Sequence, residues 1–219
     1  MRMPIAILAT LALLACREQN DAGRASARSA EPAAEASAAT PAALPAARPL
    51  VTVRANDAEV LSLHDSGDTV DVAYAGYKLR GEARDSGKRK YSVDGGPVSW
   101  EVKPNEEGGF KLRTADGRLR WKVKVSDDKI KISDNEENRN PFELKMREGN
   151  RVKVVAPGGK ELGNVRFDGS RIEVENAAGQ TQFTIATATP SAAFGVLLLD
   201  DIPPQERAIL AAELLSRGR

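Results

Sequence analysis

The chain has 219 residues, 32 Lys+Arg against 31 Asp+Glu, and a net charge of +1, so bulk charge singles out no polyanionic or polycationic partner. One cysteine, Cys16, and one histidine, His64, exclude an intrachain disulfide and zinc sites built from several Cys or His ligands. A Ser-His-Asp arrangement is the one familiar catalytic set still conceivable.

Residues 1–16 read MRMPIAILATLALLAC, with Arg2 as a short positive start and ten residues, Ile5 to Leu14, as an apolar stretch. A membrane span needs about 20 apolar residues, so this segment is an export signal and not a span. Its end, Leu13-Leu14-Ala15-Cys16, resembles the lipobox of bacterial lipoproteins. The resemblance implies that the signal, 1–15, is removed and that Cys16 is acylated by fatty chains such as palmitate. Each buried CH₂ adds about 0.8 kcal/mol, so several chains anchor stably. The other reading is an ordinary secretory signal that contains a cysteine. In lipoproteins an Asp after the cysteine favours the inner membrane. Arg17 therefore implies a bacterial cell-envelope protein at the outer membrane, facing the periplasm.

Residues 16–49 form the anchor and a linker of Ala, Ser, Pro and Glu without a periodic apolar face. Such a stretch cannot bury enough surface to offset its ordering entropy, and Pro32, Pro41, Pro45 and Pro49 interrupt any helix.

From Val51 to Thr189 the pattern becomes short alternating runs: VTV, EVLSL, TVDVAY, YKLRG, FKLRT, LRWKVKV, KIKIS, FELKM, VKVV, RIEVE and TQFTI. Asp94-Gly95, Gly108-Gly109, Asp116-Gly117, Pro157-Gly158 and Asp168-Gly169 punctuate them. The spacing predicts a mainly β domain over 50–202, an antiparallel barrel or sandwich of about 12 strands. An aromatic-x-Leu-charged start recurs at Tyr77, Phe110 and Phe142, 33 and 32 residues apart, as in a repeated meander. Residues 191–199, SAAFGVLLL, are apolar on every face after the serine. They predict a buried helix, with a buried strand as the competing reading. The prolines Pro203-Pro204 restart the chain, and 203–219 reads as a second, amphipathic C-terminal helix.

The [YF]-x-L-[KR] starts, the Asp116-Gly117 hairpin and SAAFGVLLLDDI together resemble the tubby-like barrel superfamily, which includes plant LURP-one and scramblase-related proteins. The resemblance covers about residues 58–202. It implies twelve strands closed around a hydrophobic C-terminal helix, and some members bind phosphoinositides through basic residues. A β-sandwich with docked helices is the alternative fold.

The hairpin FKLRTADGRLRWKVKV allows a register to be derived. With Asp116-Gly117 as a two-residue turn, Leu112 opposes Trp121 and Phe110 opposes Val123 on an apolar face. The other face pairs Arg113 with Arg120 and Lys111 with Lys122. A two-residue turn at Asp127-Asp128 then pairs Lys124 with Lys131. One face thus gathers Lys111, Arg113, Arg120, Lys122, Lys124 and Lys131, the candidate anion-binding residues. Like charges opposite each other destabilise a sheet, and residues 77–154 hold 20 basic against 14 acidic side chains, an excess of six. Two readings stand: a solvated sheet face whose lysines guard it, or a patch for lipid phosphates or envelope polysaccharide.

His64 reads as a surface turn residue, because no nucleophile-elbow motif accompanies it. The run Asp134 to Asn138 lacks calcium-loop spacing and reads as a solvated acidic loop. Trp100 and Trp121 read as core, and export argues against nucleic acid. No catalytic residue, cofactor or metal ligand is assigned. The expected role is a membrane-anchored, non-enzymatic binding module for an anionic envelope component or an envelope protein. The alternative is a scaffolding or assembly accessory of the envelope.

Overall fold

The computed structural model describes residues 51–105, 108–187 and 189–219. Cys16, the export signal at 1–15 and the linker at 16–49 lie outside the described residues.

Fourteen strands follow one another: β1 (Val51–Ala55), β2 (Ala58–Asp65), β3 (Thr69–Tyr74), β4 (Tyr77–Ala83), β5 (Arg89–Val93), β6 (Val98–Pro104), β7 (Phe110–Thr114), β8 (Leu119–Val125), β9 (Lys129–Ser133), β10 (Phe142–Arg147), β11 (Arg151–Val155), β12 (Glu161–Phe167), β13 (Arg171–Asn176) and β14 (Thr181–Ala186). Each pairs antiparallel with the next, and β14 closes onto β1 through Val53 opposite Ile185. The described residues form a closed up-and-down barrel, which decides between barrel and sandwich. The count of about 12 is corrected to fourteen. The three strands that the sequence reading passed over are β5, β6 and β12, where period-two alternation is weakest. Tyr91 is the one buried residue of β5 and Val102 the one buried residue of β6, while Gly163 and Asn164 sit inside β12.

The repeated aromatic starts fall at the first residues of β4, β7 and β10, so the sequence period corresponds to three strands.

Alternation sorts the wall. Val53, Leu61, Leu63, Val72, Leu79, Leu112, Val123, Ile130, Leu144, Val154 and Val174 are buried in one continuous core, while Lys, Arg, Glu and Asp alternate with them outward. A lipid-spanning barrel has the opposite arrangement, apolar outside. No helix among the described residues is long and apolar enough to cross a membrane.

An eight-stranded barrel is filled by its own side chains, so fourteen strands leave a lumen that needs further filling. The C-terminal segment supplies it. Ala192–Leu198 is a 3₁₀ helix with every residue buried, opened by Ser191, whose Oγ accepts from the Ala193 amide at 3.1 Å. Gly195 lets it sit on the wall: a Cβ there would lie 2.9 Å from Val154 and 3.0 Å from Leu144.

The helix α1 (Pro204–Ser216) starts on prolines and carries buried residues from Glu206 to Leu214. The C-terminal helix expected from the sequence is thus a second part of the plug, buried on its polar as well as its apolar positions. Its polar face turns to charged groups of the wall. Glu213, wholly buried, accepts from Arg89 at 2.9 Å, from the Tyr91 hydroxyl at 2.9 Å and from Arg217 at 2.9 Å. Glu206 accepts from Arg120 at 2.8 Å and from the Trp121 indole at 2.5 Å. Arg207 donates to the Leu197 carbonyl at 3.1 Å and lies over the Tyr74 ring. Ion pairs this buried add little net stability over apolar packing, but removing one partner is costly. They tie α1 to β5 and β8 of the wall through Arg89, Tyr91, Arg120 and Trp121. Burial, together with the Glu213 charge, pushes the Tyr91 phenol well above its usual range.

Candidate functional site

The buried side chains form one continuous core, and the largest cluster of outward cations lies on the wall. The hairpin of β7 and β8 carries most of it. Phe110 opposes Val123, Lys111 opposes Lys122 and Leu112 opposes Trp121, as derived from the sequence, and Trp121 is only 8 % exposed. The turn itself differs. The Thr114 amide bonds the Arg118 carbonyl and the Gly117 amide bonds the Thr114 carbonyl, with Gly117 at φ +87°. This is a three-residue loop in which glycine takes the left-handed position.

That loop moves the pairing by one residue, and a bulge at Arg120 moves it back. Arg113 consequently opposes Leu119, not Arg120. A bulge brings two successive side chains towards one face, and Arg120 joins Trp121 on Glu206. It belongs to the anchoring of α1, which removes it from the row of outward cations.

On the other side of the hairpin, Val125 opposes Ile130 and Lys124 opposes Lys131, as the Asp127-Asp128 turn predicts. The pairing of β6 with β7 adds two residues the sequence reading missed. Lys103 opposes Lys111, and Glu101 opposes Arg113. Lys103, Lys111 and Lys122 thus form one lateral row across three strands, continued by Ser133 on β9. Reading VSWEVKP as a strand would have placed Lys103 there.

A groove of about 800 Å³ runs over this row, lined among others by Lys88, Glu101, Lys103, Lys111, Arg113 and Lys122. Into its border reaches Glu136, from the loop 134–141 between β9 and β10. Its carboxylate lies 2.7 Å from the Lys111 ammonium, 2.8 Å from the Arg113 guanidinium and 3.9 Å from Lys122. Lys122 also donates to the Glu136 backbone carbonyl. The hydrogen bond from Lys111, then the Lys111 and Arg113 charges, hold the Glu136 carboxyl below its usual range.

Lys131 stands a row further along, 3.8 Å from Glu143, which also pairs with Lys145 at 2.7 Å. Lys124 faces Lys131 across the ladder. Of the six candidate cations, three therefore converge on one carboxylate, two form a neighbouring row, and Arg120 turns to the plug. The acidic loop contributes the anion, a role that its composition did not signal.

His64 lies on β2 opposite Asp71 and not in a turn. It borders a second hollow with Ser62, Arg80 and Asp94. Among the described residues no three His, Cys, Asp or Glu side chains come together to hold a metal ion. Comparison of the chain with protein-family models, with curated proteins and with solved structures finds no match.

Proposed function

We propose that the chain is a lipid-anchored envelope protein whose barrel is a non-enzymatic binding module. The groove over β6–β8 takes an anionic component of the envelope, phosphate-bearing lipid headgroups first among them. One observation carries the reading: three cations from two adjacent strands already grip a carboxylate at the border of that groove. A row of like charges costs some tenths of a kcal/mol per pair, and an anion between them reverses the sign of that cost. A tether at Cys16 adds to this support, because it keeps the groove near a bilayer at high effective concentration. The resemblance to tubby-like barrels points the same way.

The test is sedimentation with vesicles of phosphatidylglycerol in phosphatidylcholine at low ionic strength. Lys111→Glu with Lys122→Glu is expected to weaken binding about thirtyfold or more, at about 1 kcal/mol per basic residue near an anionic surface. Wild-type binding is expected to fall steeply with salt. A reversal at Lys160, outside the groove, serves as control. Equal loss at Lys160, or none at Lys111 and Lys122, overturns the assignment.

A further inference from the structure

We infer that Lys111, Arg113 and Lys122 form a seat for a two-oxygen anion, and that Glu136 fills it in cis as a strap which an incoming phosphate-bearing group displaces. The inference rests on the binding role proposed above and adds its regulation.

The seat lies beneath its occupant. The Glu136 side chain is 45 % exposed, whereas Lys122 is 15 % exposed and Lys111 and Arg113 are 27 %. A partner reaching these cations from solvent meets the carboxylate first. Arg113 is held in place by a second bond, from its NH1 to the Gly117 carbonyl at 2.8 Å, so its position does not depend on Glu136 alone.

The strap has bonds of its own besides the one from Lys122 to the Glu136 carbonyl. Asn135 accepts from the Arg139 amide at 2.8 Å and donates to the Arg139 carbonyl at 2.9 Å, closing the loop on itself. Ser133 Oγ donates to the Asn135 carbonyl at 3.1 Å. Asn138 and Asn140 take left-handed backbone, φ 60° and 47°, which asparagine tolerates better than most residues. The neighbouring β8–β9 connection needs only a tight turn, so the length of 134–141 is what carries a carboxylate back over β7 and β8.

Of the four groups only Glu136 is largely exposed, and a pair screened by solvent on one side contributes little stability. Glu136 brings one negative charge to three cations, and Lys103 beside them has no carboxylate within 4 Å among the described residues. A phosphate group, with more oxygens and up to two charges, satisfies that surplus better than the carboxylate does. Arginine and lysine side by side suit phosphate oxygens.

The experiment compares wild type, Glu136→Ala and Glu136→Gln against the same phosphatidylglycerol vesicles, with near-ultraviolet dichroism of Trp121 to check the fold. Both variants are expected to bind about fivefold tighter than wild type, the effect of one negative charge removed near an anionic surface. Adding Lys111→Gln and Lys122→Gln to Glu136→Ala is expected to abolish the gain, and inorganic phosphate alone is expected to compete for the opened seat. Equal affinity of wild type and Glu136→Ala, with binding still lost on reversal of Lys111 and Lys122, overturns the strap and leaves the binding role standing. Absence of vesicle binding in every variant removes the binding role and the strap with it. Vesicle binding that phosphate does not reduce, or preference for a polyuronate over vesicles, overturns phosphate as the displacing group.

Discussion

Glu213 shows how much one side chain can decide in this barrel. It is fully buried, and it satisfies Arg89, Tyr91 and Arg217 at once. In the sequence AAELLS it looks like the polar stripe of an amphipathic helix, because periodicity records polarity and not the location of its partners. Glu213→Ala leaves two guanidinium groups without their anion inside the lumen. The expected loss is about 3–5 kcal/mol in urea unfolding, with Glu213→Gln milder because its amide oxygen still accepts from Arg89 and Tyr91. A loss below about 1 kcal/mol, the scale of an exposed pair, would contradict the anchoring role. Trp121 was legible, since its inward position follows from strand alternation alone. Arg120, its neighbour, was not, because the bulge that turns it inward compensates for a turn type that the dipeptide Asp116-Gly117 does not specify.

At the scale of elements, β5 and β6 explain most of what sequence reading missed. Each buries one residue in its central span, so neither displays an alternating run. β5 is ordered instead by what lies across from it. Gly81 on β4 pairs with Tyr91, and a Cβ at Gly81 would come within 2.6 Å of the Tyr91 ring and 2.8 Å of the Arg89 side chain. The missing side chain thus provides the space in which two of the three Glu213 partners, Tyr91 and Arg89, lie. Gly81→Ala is expected to destabilise by about 1–3 kcal/mol, the usual range for overpacking. It is also expected to shift the near-ultraviolet tyrosine signal as the ring moves off Glu213. Unchanged stability would mean that strands β4 and β5 adjust freely. The candidate site was half legible for the same reason: β7, β8 and β9 show their cations in sequence, whereas Lys103 depends on β6 being recognised. Glu136 belongs to a loop, and no periodicity says where a loop folds back.

For the molecule as a whole, the wall and its filling depend on each other. The lumen of fourteen strands is closed by the 3₁₀ helix and α1, which contribute Phe194, Val196, Leu197, Ile209, Leu210 and Leu214 to the core, each worth about 1.5–3 kcal/mol when fully buried. A chain ending at Thr189 is expected to lose cooperative unfolding and to bind a dye specific for exposed apolar surface. A sharp two-state transition in that chain would show that the wall stands without its plug.

What the sequence determined by itself is local: that the chain is mainly β and antiparallel, which face of β7, β8 and β9 is apolar, how Phe110, Leu112, Trp121 and Val123 meet, and that 191–199 is buried. These follow from period-two alternation and turn chemistry, which act over a few residues. Only the tertiary structure decided that there are fourteen strands, that β14 meets β1, that α1 lies inside with its charges matched by the wall, and that Glu136 sits among Lys111, Arg113 and Lys122. Those outcomes depend on the fit of lumen to filling and on groups far apart in the chain, such as Arg89 and Glu213, and neither leaves a mark in any short window of sequence.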